Sequence, residues 1–325
     1  MIRALLVLFL PVVIAQSVSP GAIASQYQLG SSTSLPFPTA TLSATAASSY
    51  LGTSGWQITK NGSISQKDDV SFANDPFATS NSAPVFTVDY PTGSYSEGTG
   101  GTEFSTYFNN SGTPFGTVLL SYEVAFDTNF DWVKGGKLPG LRGGSLSDCS
   151  GGVYSSSCFS MRLMWRAEGA GEAYAYMPAP FSLCSRSNVL CNQEGYGTSL
   201  SRGSFSFVSG AWNNISLLVQ LNNPVRASNG LVYVYHNGVL AVQFTGLQIR
   251  LDSSVTGFTG LFFSGRRDIR YPTDQHTYFR NIQMWGSTAF SSSSSAASSI
   301  RAASFRVTAT LAFIVANAMV FISLL

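Results

Sequence analysis

Phe159–Tyr176, FSMRLMWRAEGAGEAYAY, reads as two alternating strands folded back on a Gly-rich turn. Side chains two apart in a strand share a face, so Ser160, Arg162, Met164 and Arg166 point one way while Phe159, Met161, Leu163 and Trp165 point the other. The return strand divides likewise, with Glu172, Tyr174 and Tyr176 on one face and Ala173, Ala175 and Met177 on the other. One face can lie on a core; the other gathers cations, a hydroxyl and phenols. With residues 167–171 as the turn, Arg166 is expected opposite Glu172 and Arg162 opposite Tyr176.

Strand signals recur on both sides of this hairpin, at 85–90, 117–126, 159–166, 172–177, 204–208, 214–221, 231–236, 239–245, 258–263 and 277–285, with no helical periodicity between them. The run LVYVYHNGVLAVQF, 231–244, is a second hairpin whose Asn237-Gly238 suits a type I′ turn. Thirty-one Gly and 13% aromatics fit many short strands joined by turns. The expected fold is therefore all-β, a two-sheet antiparallel jelly roll or sandwich over residues 84–286. The Ser/Thr/Gly-rich residues 16–83, with Trp56 as main anchor, are expected to drape over that domain. No internal repeat is present.

Only 10% of the 325 residues are charged and the net charge is +2, so no broad basic surface exists to drive nucleic-acid binding by counterion release. Arg3, the apolar run Ala4–Ile14 and the small residues around Ala15 form a secretory signal, residues 1–15. At the other end, a Ser/Ala-rich spacer (287–306) precedes an apolar run (307–325). This is the pattern of a GPI-attachment signal with its ω residue near Ser295, the alternative being a membrane-spanning tail. Truncation after residue 286 is expected to release a soluble protein; membrane binding retained by the truncated chain would overturn that reading.

In a secreted chain the four Cys are expected as disulfides. Three connectivities are possible, and the local pairs Cys149–Cys158 and Cys184–Cys191, flanking the hairpin, are preferred. Asn61, Asn109 and Asn214 each open an N-x-Ser glycosylation sequon.

Before the hairpin lies NFDWVKGGKLPGLRGG, Asn129–Gly144, whose Gly pairs read as a loop presenting Lys134 or Lys137 to a groove. Taken together, KGGKLPGL, the CSGG at Cys149–Gly152, the SxR of Ser160 and Arg162, the YxY of Tyr174 and Tyr176, and the late YFRNIQMW resemble polysaccharide lyase family 14. Known members of that family cleave alginate or other polyuronates. The resemblance spans about Pro84 to Trp285 and implies a β-jelly roll with a catalytic set of Lys137, Ser160, Arg162, Tyr174 and Tyr176. Lys134, three residues from Lys137, competes for the lysine's role and is otherwise expected to bind substrate, as is Arg166.

The residue types suit that chemistry independently. Eliminative cleavage of a uronate removes the C5 proton, which is weakly acidic while the adjacent carboxylate keeps its charge. A Lys or Arg neutralises that charge, with Ser donating a hydrogen bond, most effectively as charge develops in the transition state. A phenol of pKa about 10 becomes a better base beside a cation. One tyrosine would take the C5 proton, and the same or its neighbour would protonate the O4 leaving oxygen. No cofactor or metal is expected, since zinc-ligand spacing is absent and Asp268 with Asp274 is thin material for calcium. His236 is expected to be solvated at the mouth of its hairpin turn, and His276 is expected at most to border the groove, not to act as the base. The expected partner is an acidic polysaccharide, met by a monomer.

Two other classes use nearby residues. A glycoside hydrolase needs two carboxylates about 5 to 9.5 Å apart, and Glu123, Asp127 and Asp131 are the nearest. A non-catalytic binding protein would stack the tyrosines on sugar rings and hold a carboxylate with Arg162. The products discriminate: elimination leaves a C4=C5 double bond, hydrolysis leaves reducing ends without it, and binding leaves the polymer whole.

Overall fold

The computed structural model describes residues 17–58, 64–80, 82–95, 99–107, 114–133, 135–192, 196–267 and 272–288. The leader, the C-terminal run, Lys134, Asn61, Asn109 and Asp268 lie outside them. Among the described residues, no helix is long and apolar enough to cross a membrane.

Two antiparallel sheets face each other. The first runs β13 (Val239–Leu247), β12 (Gly230–His236), β11 (Asn213–Gln220), β5 (Thr117–Phe126), β15 (Gln275–Ser287), β3 (Val85–Tyr90) and β2 (Val70–Ala73), with β1 (Ser31–Ser34) also on β15. The second runs β4 (Thr102–Ser105), β14 (Phe258–Arg267), β6 (Gly136–Gly144), β7 (Cys158–Trp165), β8 (Ala170–Tyr176), β10 (Thr198–Ser206) and β9 (Val189–Leu190). The sheets do not close into a barrel, and the arrangement is the jelly roll that the strand signals predict.

The core fills the space between the sheets because each strand alternates. From β5 come Val118, Leu120, Tyr122, Val124 and Phe126, and from β7 come Phe159, Met161, Leu163 and Trp165, all fully buried in one cluster. The expected apolar face of the hairpin is thus the inner face of the second sheet. Its other face points away from the core.

The N-terminal segment supplies β1, β2 and two short helices. In α1 (Pro20–Gln26), Ser19 caps the start by accepting from the Ala22 N–H at 3.2 Å, and Ile23 and Ala24 cover Leu119 and Leu218 on the outer side of the first sheet. Ala47 and Leu51 of α2 (Ala44–Thr53) join Trp56 in the main core, where the Trp56 indole donates to the Pro36 carbonyl at 2.6 Å.

Two expectations need correction. Gly136–Gly144, GKLPGLRGG, is not a loop but strand β6, hydrogen-bonded between β14 and β7. Its glycines serve close strand approach: a Cβ at Gly140 would collide with the Met161 carbonyl and the Arg162 Cα. Pro139, which lacks a ladder donor, falls where the register shifts between Leu138 and Gly140.

The hairpin register is also two residues off the expected one. Ser160 faces Tyr176, Arg162 faces Tyr174 and Met164 faces Glu172. The turn is tighter than expected, because Glu168 and Gly169 take positive φ (59° and 75°) and the Arg166 N–H donates to the Ala170 carbonyl at 2.8 Å. A shift of two preserves the face of every side chain, so the division into core and site holds.

Candidate active site

Strands β6, β7 and β8 lie side by side in the middle of the second sheet, and the register sets their outward residues in rows. One row reads Phe262, Gly140, Arg162, Tyr174, Ser199 across β14, β6, β7, β8 and β10. The next reads Gly260, Arg142, Ser160, Tyr176. Lys137, half-buried on β6, faces Met164 on the same side. The structure therefore brings Lys137, Ser160, Arg162, Tyr174 and Tyr176 onto one face of adjacent strands.

Arg162 is 0% exposed. Gly140 beside it has no side chain, so the guanidinium crosses that position to lie 4.5 Å from the Phe262 ring centroid, while the Tyr176 ring is 5.8 Å away on the other side. Its Nη1 stands 3.8 Å from Glu103 Oε2. Arg162 thus reaches Tyr176 diagonally although its register partner is Tyr174.

A second arginine, Arg142, sits 4.6 Å from the same Phe262 ring and donates to Ser105 Oγ (3.3 Å) and to the carbonyls of Ser145 (2.9 Å) and Asp148 (3.2 Å). Burial, then repulsion from Arg162, pulls its pKa down to about 10. It stays a cation at neutral pH. Sequence reasoning missed it, although it stands within the KLPGLRGG run; reading that run as a strand would have placed it opposite Ser160.

The two phenols pack edge to face with ring centroids 5.8 Å apart. Tyr176 is 2% exposed and its hydroxyl accepts the Gly152 N–H at 2.8 Å. Tyr174 is 8% exposed and accepts the Gly197 N–H at 2.9 Å. Only glycine fits at 197, since a Cβ there would approach the Tyr174 ring to 2.8 Å. Burial and the Tyr176 phenol raise the Tyr174 pKa, outweighing the Gly197 N–H and Arg162, so Tyr174 holds its proton at neutral pH in the free protein.

Ser160 donates to the Cys149 carbonyl at 2.6 Å, anchoring the 145–157 loop beside Tyr176. Cys149 is bonded to Cys158, and Cys184 to Cys191, the local pairing preferred above. Asn214 is half-buried on β11, and its N–H donates to Asn237 Oδ1 at 2.8 Å.

The carboxylates weighed for hydrolysis are elsewhere. Glu123 is held in the first sheet by Arg280 (2.8 Å) and Asn281 (2.7 Å), and Asp127 by His276 Nδ1 (3.0 Å) and the Tyr278 hydroxyl (2.8 Å). Asp131 is exposed in the following loop. His236 is not solvated as expected but half-buried, its ring 5.0 Å from that of Phe205. Among the described residues, no group of three or more His, Cys, Asp or Glu is arranged to hold a metal ion.

Comparison with known proteins identifies the class to which this jelly roll belongs. The family described as Polysaccharide lyase 14 matches residues 78–282. The marine PL-14 alginate lyase from Aplysia kurodai is 32% identical, with a TM-score of 0.67, over 78% of this chain and 98% of its own. The alginate lyase vAL-1 from Chlorella virus shares the fold at 22% identity and a TM-score of 0.56, over 76% of this chain and 99% of its own. No curated protein matches the chain. The chain belongs to polysaccharide lyase family 14 and is a polysaccharide lyase.

Proposed function

We propose that this lyase cleaves a uronic-acid-containing polysaccharide of the alginate or glucuronan type by β-elimination, with Tyr174 and Tyr176 carrying the proton transfers. The observation that supports it most is Arg162, a fully buried cation set between the Phe262 ring and the two phenols. Holding a guanidinium out of water is costly. Here it lies where a uronate carboxylate would be neutralised while the C5 proton leaves.

In this reading Lys137 and Arg162 meet the +1 uronate carboxylate and Arg142 adds to the positive field from behind. Ser160, whose proton goes to the Cys149 carbonyl, holds the loop that covers Tyr176. The C5–H bond breaks toward the oxygen of one tyrosine acting as its phenolate, which becomes a phenol, and the C–H electron pair forms the C4=C5 double bond. The C4–O4 bond then breaks, and O4 takes a proton from a phenol. The alginate lyase from Aplysia kurodai supports alginate as the first substrate to try.

The enzyme is further inferred to act outside the cell, delivered by residues 1–15 and held at the surface through the C-terminal run. The decisive experiment follows ultraviolet absorbance of the new double bond on polymannuronate, polyguluronate and glucuronan. Growth on one of them is the expected result. New reducing ends without absorbance, or an intact polymer on all three, would overturn it.

A further inference from the structure

Glu172 is a carboxylate that the elimination does not use, yet it is 0% exposed on the site face, two residues before Tyr174. Its Oε1 accepts from Arg166 Nε (2.8 Å) and Nη2 (2.5 Å); its Oε2 accepts from Arg202 Nε (2.7 Å) and from the Ser199 hydroxyl. Two guanidiniums share one carboxylate. Both are partly open to solvent, the Arg166 and Arg202 side chains being 20% and 41% exposed.

Stability alone does not call for this arrangement. One arginine satisfies a buried carboxylate, and a second, half-exposed one adds little. Among the described residues Arg202 meets the protein through Nε alone, which orients the guanidinium and leaves both Nη groups for a ligand. The cluster also abuts the phenols: Ser199 is the register partner of Tyr174, and the Arg166 guanidinium lies 5.7 Å from the Tyr174 ring centroid. Two residues of strand advance about 7 Å, on the scale of one pyranose unit.

We infer that Arg202 and Arg166, held side by side by Glu172, form a subsite for the carboxylate of a uronate next to the sugar being cleaved. The inference rests on the polyuronate reading above and extends it to a second sugar. Arg202 is a binding residue here, and Glu172 and Ser199 position it. The subsite selects for polymers charged on successive sugars and makes affinity depend on chain length.

The test measures binding apart from chemistry. Oligomannuronates and oligoglucuronates of two, three, four and five sugars are titrated calorimetrically into the Tyr176→Phe protein, with and without Arg202→Ala. Arg202→Lys serves as a conservative control and circular dichroism as a check on folding. Arg202→Ala is expected to weaken binding of the longer oligomers about tenfold, the scale of a lost charge-assisted hydrogen bond. It should leave the shortest binding oligomer unchanged, and Arg202→Lys should restore part of the loss. An equal effect at every length, or none at any, would overturn the subsite. If the wild-type protein binds with the expected length dependence yet forms no double bond, the subsite stands and the elimination reading falls. If it forms the double bond but binds every length alike, the elimination reading stands and the subsite falls.

Discussion

Tyr176→Phe is expected to fold, to bind polymer and to lose about 10²- to 10⁴-fold in kcat, the range contributed by a positioned proton-transfer group. The substitution removes one oxygen and keeps the ring, whose edge-to-face contact with Tyr174 survives. The Gly152 N–H loses its acceptor, a stability cost of about 1 kcal/mol, visible as a small fall in Tm. Because the site residue is only 2% exposed, little reorganisation by water is available to replace the lost oxygen. Steady-state kinetics beside a binding isotherm checks this. A kcat within about threefold of the wild type would remove Tyr176 from the chemistry.

Arg162 gives the second large effect, and here activity and stability should part. Arg162→Met is expected to cost about 10²- to 10³-fold in kcat/KM, as expected when a group that stabilises transition-state charge is removed. Its stability should match or exceed the wild type's. Methionine fills much of the same space against Phe262, and the desolvation cost of holding a guanidinium fully buried disappears. Repulsion on Arg142 also disappears, so the Arg142 pKa should rise from about 10 toward its ordinary value. Glu103 keeps its hydrogen bond from Ser264 at 3.1 Å. Arg162→Lys is not a rescue, since an ammonium lacks the flat guanidinium face that lies over the ring. Thermal denaturation together with double-bond kinetics decides the matter: a marked loss of stability in Arg162→Met would make Arg162 a structural residue.

The hairpin shows how far local pattern reaches. Alternation alone separated Phe159, Met161, Leu163 and Trp165 from Ser160, Arg162 and Met164, and every one of them lies on its expected face. The strands Val85–Tyr90 and Thr117–Phe126 also begin and end where their β-branched and aromatic runs do. The disulfides were legible because the paired cysteines are close in sequence, nine positions apart in one case and seven in the other.

What escaped was always a matter of what lies across. Gly and Pro in KGGKLPGLRGG carry the local signature of turns, and only the approach of β7 reveals why side chains are excluded at Gly140. Arg142 was invisible as a site residue because its neighbours, Ser160, Phe262 and Arg162, come from strands β7 and β14. The clustering of Arg166 and Arg202 around Glu172 joins β10 to the hairpin over a separation of 30 residues. By itself the amino-acid sequence determined most of the strands, their two faces and the residue types available for elimination, since period-two alternation is a property of each strand alone. Tertiary structure decided the register, the burial of Arg162 and the raised pKa of Tyr174. Each of those depends on how tightly a turn closes and on which strand packs alongside.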